Sequence, residues 1–158
     1  TIGELCDLTN YPRSTFYNYF EDIYALMDYC WQYIYNNIKL DEDNVTHDKR
    51  TLILFRHTYD YMEQHRSIID QLVSHNPKDG AMMQSLDRFI KNTIFKMINE
   101  CPLSYKFPMP YHMIALHYSN TIQMILSACF LDQTITKEQA INYIDFLLGT
   151  LEKESTRK

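Results

Sequence analysis

The side chains best suited to recognition chemistry lie close to the N terminus. They combine one guanidinium group with hydroxyls, an amide and two phenols: Thr1, Arg13, Ser14, Thr15, Tyr17, Asn18 and Tyr19. An arginine can bond guanine bidentately and an asparagine can bond adenine, while hydroxyl and phenol groups bind phosphate oxygens. Such residues at the start of a short helix are typical of DNA recognition in a major groove.

Two short helices and a turn would have to present these side chains. Apolar residues at three- and four-residue steps predict the helices: Ile2, Leu5, Leu8, Phe16, Tyr17 and Phe20. Thr1 can cap the first helix, and Asn10 stands where a tight turn requires a positive φ. Pro12 presets the start of the second helix and Asp22 opens a third. For Phe20 we expect packing alone, while Tyr17 is suited to packing and to DNA contact equally.

This N-terminal segment resembles the helix-turn-helix motif of the tetracycline-repressor family of bacterial transcriptional regulators. Seven residues agree in register with that motif: Thr1, Leu5, Thr15, Phe16, Tyr17, Phe20 and Leu26. Five residues depart from it: Cys6, Thr9, Asn10, Pro12 and Ile23, the last in place of a lysine that could contact phosphate. The motif covers about a sixth of the chain and ends near Met27.

The resemblance implies a fold and a mechanism. A DNA-binding head with its connecting helix would span 1–40, and a helical effector-binding and dimerisation domain would span 41–158. It also implies a further helix before Thr1, and because the chain starts inside a helix we expect no signal peptide. The chain would be a cytoplasmic homodimer that binds double-stranded operator DNA, most simply as a repressor. A small-molecule effector would release the DNA by tilting the helix from Asp22 to Lys39.

The charge of the N-terminal segment leaves a second hypothesis open. The whole chain carries a formal charge of −5, and residues 1–40 hold two basic and five acidic side chains, a formal charge of −3. Phosphate binding favours positive charge. Either residues preceding Thr1 supply lysine and arginine, which we favour, or the chain is a coactivator or adaptor that acts mainly through protein contact.

Composition predicts an all-α fold. The chain of 158 residues is 46% hydrophobic, with three glycines, five prolines and almost no β-branched alternation.

After the acidic stretch at 41–44, periodicity predicts helices from about His47 to His65, then up to Asn76-Pro77, and onward from Asp79-Gly80. In the helix from Asp22 to Lys39, the predicted apolar stripe comprises Ile23, Leu26, Met27, Cys30, Tyr33, Ile34 and Ile38, with Asp28, Gln32 and Asn36 facing water.

The last two predicted helices are candidates for self-association. One spans about 111–131 and is apolar almost all round, and the other spans about 136–152, with Thr136 at its start in a capping arrangement. The short link 132–135 predicts an antiparallel pair, and two such pairs would form a four-helix bundle across a two-fold axis. The alternative is that both helices simply fill the core of one chain.

An apolar effector pocket is a weaker prediction. Thirteen tyrosines and eight methionines are many for this length, and both residue types can line an adaptable cavity. The candidate lining residues are Tyr59, Met62, Met83, Phe89, Met97, Met113 and Tyr118. Taken one at a time, each of them is better explained as a core residue.

Catalytic and metal chemistry lacks a supporting pattern in the sequence. The spacing of His57 and His65, and of His112 and His117, does not suit a shared metal ion. The motifs of serine hydrolases, phosphate-binding loops and zinc proteases are absent, so we predict neither an enzyme nor a cofactor. Four scattered cysteines indicate free, mostly buried thiols in a reducing compartment. No apolar run reaches the length of a membrane span, so we expect no membrane partner.

Overall fold

The computed structural model describes residues 1–38, 50–77, 79–100 and 109–156, and all regular structure within these ranges is helical. The all-α prediction is therefore confirmed for this part of the chain. Its elements are α1 (Ile2–Thr9), α2 (Arg13–Tyr19), α3 (Ile23–Asn37), α4 (Arg50–Gln64), α5 (Arg66–His75), α6 (Ala81–Asn99), α7 (Tyr111–Phe130) and α8 (Lys137–Thr156). The predicted boundary at 41–44, and Cys101 in the link before α7, lie outside the described residues.

Local signals in the sequence set the bounds of α1 and α2. The Thr1 hydroxyl accepts a hydrogen bond from the Glu4 amide at 3.3 Å, in a capping box that starts α1. Asn10 ends α1 with φ 55°, in the left-handed region, as predicted. Pro12 then precedes α2 in an extended conformation. Together these residues turn the chain between two short helices within three positions.

Helix α3 connects the N-terminal helices to the rest of the molecule. Asp22 caps it, because its Oδ1 accepts a hydrogen bond from the Ala25 amide at 2.8 Å. The apolar stripe predicted for this helix is wrong at Cys30 and Tyr33, because both side chains are exposed. Trp31 and Tyr35 turn inward instead, because α3 packs along α6. The prediction that the thiols are mostly buried accordingly holds for Cys6 and Cys129 but is wrong for Cys30.

The hydrophobic core lies among α4, α6, α7 and α8. Helix α7 lies at its centre and contributes more buried side chains than any other described helix. The most deeply buried core residues are Phe55, Ile114, Ile125, Phe130, Ala140, Ile144 and Leu148. Burial of each large apolar side chain contributes about 1.5–3 kcal/mol. Helix α3 packs against this core through α6, with Tyr35 and Ile38 in contact with it.

Helices α7 and α8 pair as the short link between them predicts. They pack against each other, and the buried Tyr118 hydroxyl donates to the Leu148 carbonyl at 3.3 Å. The start of α8 is capped reciprocally by Thr136 and Gln139, at 3.3 Å and 2.9 Å, which confirms the predicted helix start. Among the described helices, none is long and apolar enough to cross a membrane.

Candidate functional site

The first candidate site is the outer face of α2, formed by Arg13, Ser14, Tyr17 and Asn18. All four side chains are exposed, and at about 100° per residue they fall within roughly 140° of the helix circumference. The opposite side of α2 carries the buried Phe16 and the half-buried Thr15. Polar groups able to bond base edges are thus gathered on one side of a short helix.

Three further predicted residues lie around this face. Tyr19 is 77% exposed. Because an α-helix has 3.6 residues per turn, Tyr19 lies on the opposite side of α2 from the outer face. The Thr1 hydroxyl is engaged with the backbone and the side chain of Glu4. Thr15 is half-buried, so it contributes less to the surface than its neighbours. The outer face of α2 therefore brings together four of the seven residues predicted from the sequence.

Arg13 lies across helix α1. A methyl group placed on Gly3 would stand 3.2 Å from Arg13 Cζ, so only a glycine leaves the guanidinium its present position. Arg13 is the only basic residue among residues 1–38, whereas four acidic side chains of the same segment are exposed: Glu4, Asp7, Glu21 and Asp22. This surface has hydrogen-bonding groups but little positive charge.

An aromatic cluster fixes the orientation of α2 against α3. The Phe16 and Phe20 rings lie 5.5 Å apart, and the Phe20 ring meets Tyr29 of α3 at the same distance, edge to face. Such pairs contribute about 0.5–1.5 kcal/mol each beyond their burial. The expected packing role of Phe20 is borne out. Tyr29 was not singled out in the sequence, where its position on α3 gave no sign of a partner on α2.

The second candidate site is a cavity of about 230 Å³ between α3, α4, α5, α6 and α7. Its wall includes three of the seven predicted residues, Met62, Met83 and Phe89. The other four lie elsewhere. Tyr59 packs in the core with its ring 4.9 Å from Phe130, and Tyr118 is buried against α8.

Met97 and Met113 also lie away from this cavity. Met97 is half-buried and packs against the core, while Met113 is 52% exposed on α7. Both belong to helices that line the cavity, but they lie on other faces of those helices. The helical period alone could not decide which face of α6 or α7 turns toward a space that five helices line.

The cavity wall is almost entirely apolar, and two of the polar residues that line it, Asp87 and Gln123, are distinctive. The Asp87 carboxylate accepts a hydrogen bond from Lys91 at 2.9 Å. The Gln123 side-chain nitrogen, Nε2, is buried and has no hydrogen-bond partner among the described residues. Leaving a buried donor unpaired costs about 1–3 kcal/mol. Gln123 interrupts the apolar run of α7 in the sequence. A single amide in such a run is the sequence feature that could have predicted a buried polar group here.

A hydrogen-bond relay joins α3 to α6 beside the cavity. The Trp31 indole nitrogen donates to the Ser85 hydroxyl at 3.1 Å, and that hydroxyl donates to Asp28 at the same distance. Ser85 is 1% exposed, and Arg88 of α6 lies 4.0 Å from the Asp28 carboxylate. Trp31 also lines the cavity. The helix that supports α2 is therefore tied to the cavity wall by specific polar contacts.

Two thiols and one phenol among the described residues have a raised pKa. Burial raises the pKa of the Cys129 thiol, an effect that Arg66 partly offsets, and burial also raises the pKa of Tyr59. The Cys30 residue is exposed overall, but partial desolvation of its thiol by neighbouring atoms raises its pKa as well. The thiolate is the nucleophilic form of cysteine, so these shifts disfavour the reactive form of both thiols. His65 is stacked on Tyr61, with the ring centroids 4.2 Å apart. Within the described residues, no group of three His, Cys, Asp or Glu side chains could hold a metal ion.

Helices α7 and α8 also expose apolar side chains side by side. On α7 these are Met113, Leu116 and Met124, and on α8 they are Tyr143 and Phe146. The α7 residues fall on one face at steps of three and eight, and His117 Nε2 lies 3.5 Å from the Leu147 carbonyl. That contact brings the two exposed stretches together, and we call these five residues the α7–α8 outer face.

Comparison with known proteins gives no assignment by similarity. No family model, curated protein sequence or solved structure matches this chain significantly. Function must therefore be inferred from the α2 outer face, the cavity and the α7–α8 outer face themselves.

Proposed function

We propose that this chain is a homodimeric DNA-binding regulator of the tetracycline-repressor type, controlled by a small molecule. The observation that carries the proposal is the outer face of α2, where Arg13, Ser14, Tyr17 and Asn18 project from a short helix held by a tight turn. In helix-turn-helix proteins the second helix enters the major groove through such a face. The agreement of the N-terminal residues with that family's motif supports the same function.

A two-fold assembly through the α7–α8 outer face completes the proposal. One short helix gives weak DNA recognition, and two half-sites about 34–36 Å apart are normally bound by a dimer. Leu116 and Met113 are each 52% exposed and Phe146 is 74% exposed, a high exposure for large apolar side chains grouped on neighbouring helices. A second copy of the chain would cover them in an intermolecular four-helix bundle.

Control by an effector would act through α3. This helix supports α2 at one end and lines the cavity through Trp31, Ile34 and Tyr35. A ligand that binds more tightly when α3 is tilted would shift the population toward that arrangement and lower the affinity for DNA. Effector release of a repressor is the regulatory mode that this geometry favours.

DNA binding is tested with duplexes selected from a randomised pool by the full chain and measured by fluorescence anisotropy. We expect sequence-selective binding that weakens steeply between about 50 and 200 mM salt. Arg13→Ala is expected to weaken binding to the selected duplex by about 5–150-fold, the equivalent of ~1–3 kcal/mol for a bidentate contact with guanine. Arg56→Ala, which removes an exposed arginine from α4, is the matched control. Equal affinities for the two variants would refute the assignment of α2.

Dimerisation is tested by analytical ultracentrifugation. Leu116→Glu places a charge on the α7–α8 outer face and is expected to give a monomer. Ile68→Glu on α5, where the isoleucine is 55% exposed, is expected to leave the wild-type mass unchanged. A wild-type chain that stays monomeric at high micromolar concentration would contradict this part of the proposal.

A protein-contact adaptor is the second candidate function. It is favoured by the excess of acidic over basic side chains among residues 1–38 and by the exposed tyrosines of the N-terminal helices, including Tyr17, Tyr19 and Tyr24. Tyrosine is enriched at protein interfaces and acidic groups repel phosphate. A folded dimer that shows no selective DNA binding at low salt would favour this function over the first.

A further inference from the structure

Three polar groups on residues that line the cavity are engaged with other protein groups or turned away from it. The Trp31 indole N–H donates to the Ser85 hydroxyl. The Asp87 carboxylate accepts from Lys91 at 2.9 Å, and both of these side chains are partly exposed to solvent. The Gln123 Nε2 atom has almost no accessible surface, so it does not face the cavity. The indole N–H and the amide nitrogen are therefore not available to a ligand, and the carboxylate is already paired with a cation.

The rest of the wall offers a ligand no charge. Among the described residues that line the cavity there is no lysine, arginine or histidine, and most are aliphatic residues, phenylalanine or methionine. The remaining polar groups are five uncharged hydroxyls, on Tyr35, Thr58, Tyr61, Thr93 and Ser127. An anionic ligand would find no opposite charge here, and a cationic ligand would have to compete with Lys91 for Asp87. Burying either charge would be costly, whereas an uncharged ligand avoids that cost.

The size of the cavity limits the ligand further. A cavity of about 150 Å³ lined by apolar side chains accepts benzene. Scaled from benzene, a volume of about 230 Å³ accommodates roughly nine non-hydrogen atoms. Met62, Met82 and Met83 line this space, and methionine side chains adapt to ligands of different shape. The ligand is thus larger than benzene and smaller than most drug-sized molecules.

We propose that the cavity binds an uncharged, hydrocarbon-like molecule of about nine non-hydrogen atoms, such as an alkylated aromatic hydrocarbon. The wall selects this ligand by its size and its lack of charge, without a specific polar contact. As the effector of the regulator, this ligand class rests on the proposed function. Binding itself depends only on the cavity, so the two can be tested separately.

Three probes with the same number of non-hydrogen atoms test the role of charge: propylbenzene, phenethylammonium and benzoate. Trp31 is the only tryptophan of the chain and lines the cavity, so its fluorescence, excited at the red edge of its absorption, reports occupancy without a label. Isothermal titration calorimetry gives the affinities independently. We expect propylbenzene to bind most tightly, and each ion to bind more than about tenfold more weakly. An ion that binds as tightly as propylbenzene, or no binding of propylbenzene up to its solubility limit, overturns the inference.

A series of alkylbenzenes tests the size of the ligand. Each methylene group that becomes buried should raise the affinity about fourfold, from benzene through toluene and ethylbenzene to propylbenzene. In butylbenzene and pentylbenzene the affinity is expected to level off, because the added carbons find no further apolar wall to contact. An affinity that peaks at benzene, or that rises equally through pentylbenzene, contradicts the assigned size.

Enlarging the cavity tests its location. Met83→Ala shortens a side chain of the wall to its Cβ atom, so the affinity is expected to level off at alkyl chains longer by roughly two or three carbons. Met109→Ala, at a residue that precedes α7 and is 41% exposed, is the matched control and should leave the series unchanged. Should Met83→Ala fold poorly by circular dichroism, Met62→Ala serves instead. If a folded variant at the wall gives the same series as Met109→Ala, the hydrocarbon does not bind in this cavity and the inference is overturned.

The propylbenzene titration also separates this inference from the proposed function. Binding of propylbenzene in the expected order supports the ligand class, even if no duplex is selected and the regulator proposal fails. Selective DNA binding by a chain that does not bind propylbenzene overturns the ligand class and leaves the DNA-binding proposal standing.

Discussion

The relay from Trp31 through Ser85 to Asp28 yields the sharpest prediction about stability. Ser85 lies in the second turn of α6 and is 1% exposed. It accepts from the indole of α3 and donates to a carboxylate on the same helix, at 3.1 Å in both cases. Replacing Ser85 by alanine removes both bonds with little change in volume. The substitution therefore isolates the polar connection between the two helices.

The expected cost comes mainly from the indole. Trp31 is half-buried, and its N–H would lose its partner in a region with limited access to water, at about 1–3 kcal/mol for a fully buried donor. Asp28 is largely exposed, with a side-chain exposure of 57%, so water replaces the serine and its loss adds little. We expect a decrease of about 1–2 kcal/mol in the free energy of unfolding, or about 2–8 °C in Tm for a chain of this length.

Urea unfolding followed by circular dichroism and by Trp31 fluorescence measures this cost. Ser67→Ala, at an exposed position on α5, is the control and should change the free energy of unfolding by less than about 0.5 kcal/mol. If Ser85→Ala unfolds at the same urea concentration as Ser67→Ala, the relay contributes nothing to stability, and the argument that it ties α3 to α6 is refuted.

Three further predictions concern α8 and the core. Thr136→Ala removes the cap of α8 and is expected to lower the free energy of unfolding by about 1 kcal/mol in the same urea assay, with a small loss of helical circular dichroism. Tyr118→Phe removes the bond to the Leu148 carbonyl and is expected to cost about 0.5–1.5 kcal/mol, whereas Tyr143→Phe, on the exposed side of α8, should cost less than about 0.5 kcal/mol; equal effects would contradict the role of that bond. The pKa of Cys129 is raised in the folded chain, so the folded state holds this proton more tightly than the unfolded state does. The stability from this group is present below its ordinary pKa of 9.0 and is lost as pH rises beyond it. Urea midpoints of Cys129→Ala should then fall less between about pH 8 and 10 than those of the wild type, and parallel profiles would argue against this linkage.

Residues that act on their immediate neighbours in the sequence were predictable. The left-handed Asn10, the capping residue Thr1 and the capping pair of Thr136 and Gln139 each depend on contacts within three or four positions. The contacts that produce the turn and the helix caps lie within a short segment, so residue type and spacing are enough to predict them. The positions of the helices followed for the same reason, within a few residues at each end.

Residues whose role depends on a distant partner were not predictable. Ser85 is a polar residue in an amphipathic helix, and its bonds reach α3, more than fifty positions away. Trp31 and Tyr35 turn inward because α6 and the cavity lie on that side of α3, which its own periodicity does not specify. Likewise, the number of tyrosines and methionines indicates side chains that can pack adaptably, but it does not indicate which of them line the cavity.

Helix α7 contributes residues both to the cavity and to the α7–α8 outer face. One side of it holds Ile122, Gln123 and Leu126 against the cavity, and another side carries Leu116 and Met124 toward solvent. If a second chain covers the solvent side, any shift of α7 that accommodates a ligand also changes the fit between the subunits. Thermodynamic reciprocity then requires that ligand affinity vary with protein concentration, and that the ligand tighten or loosen the assembly by the same factor.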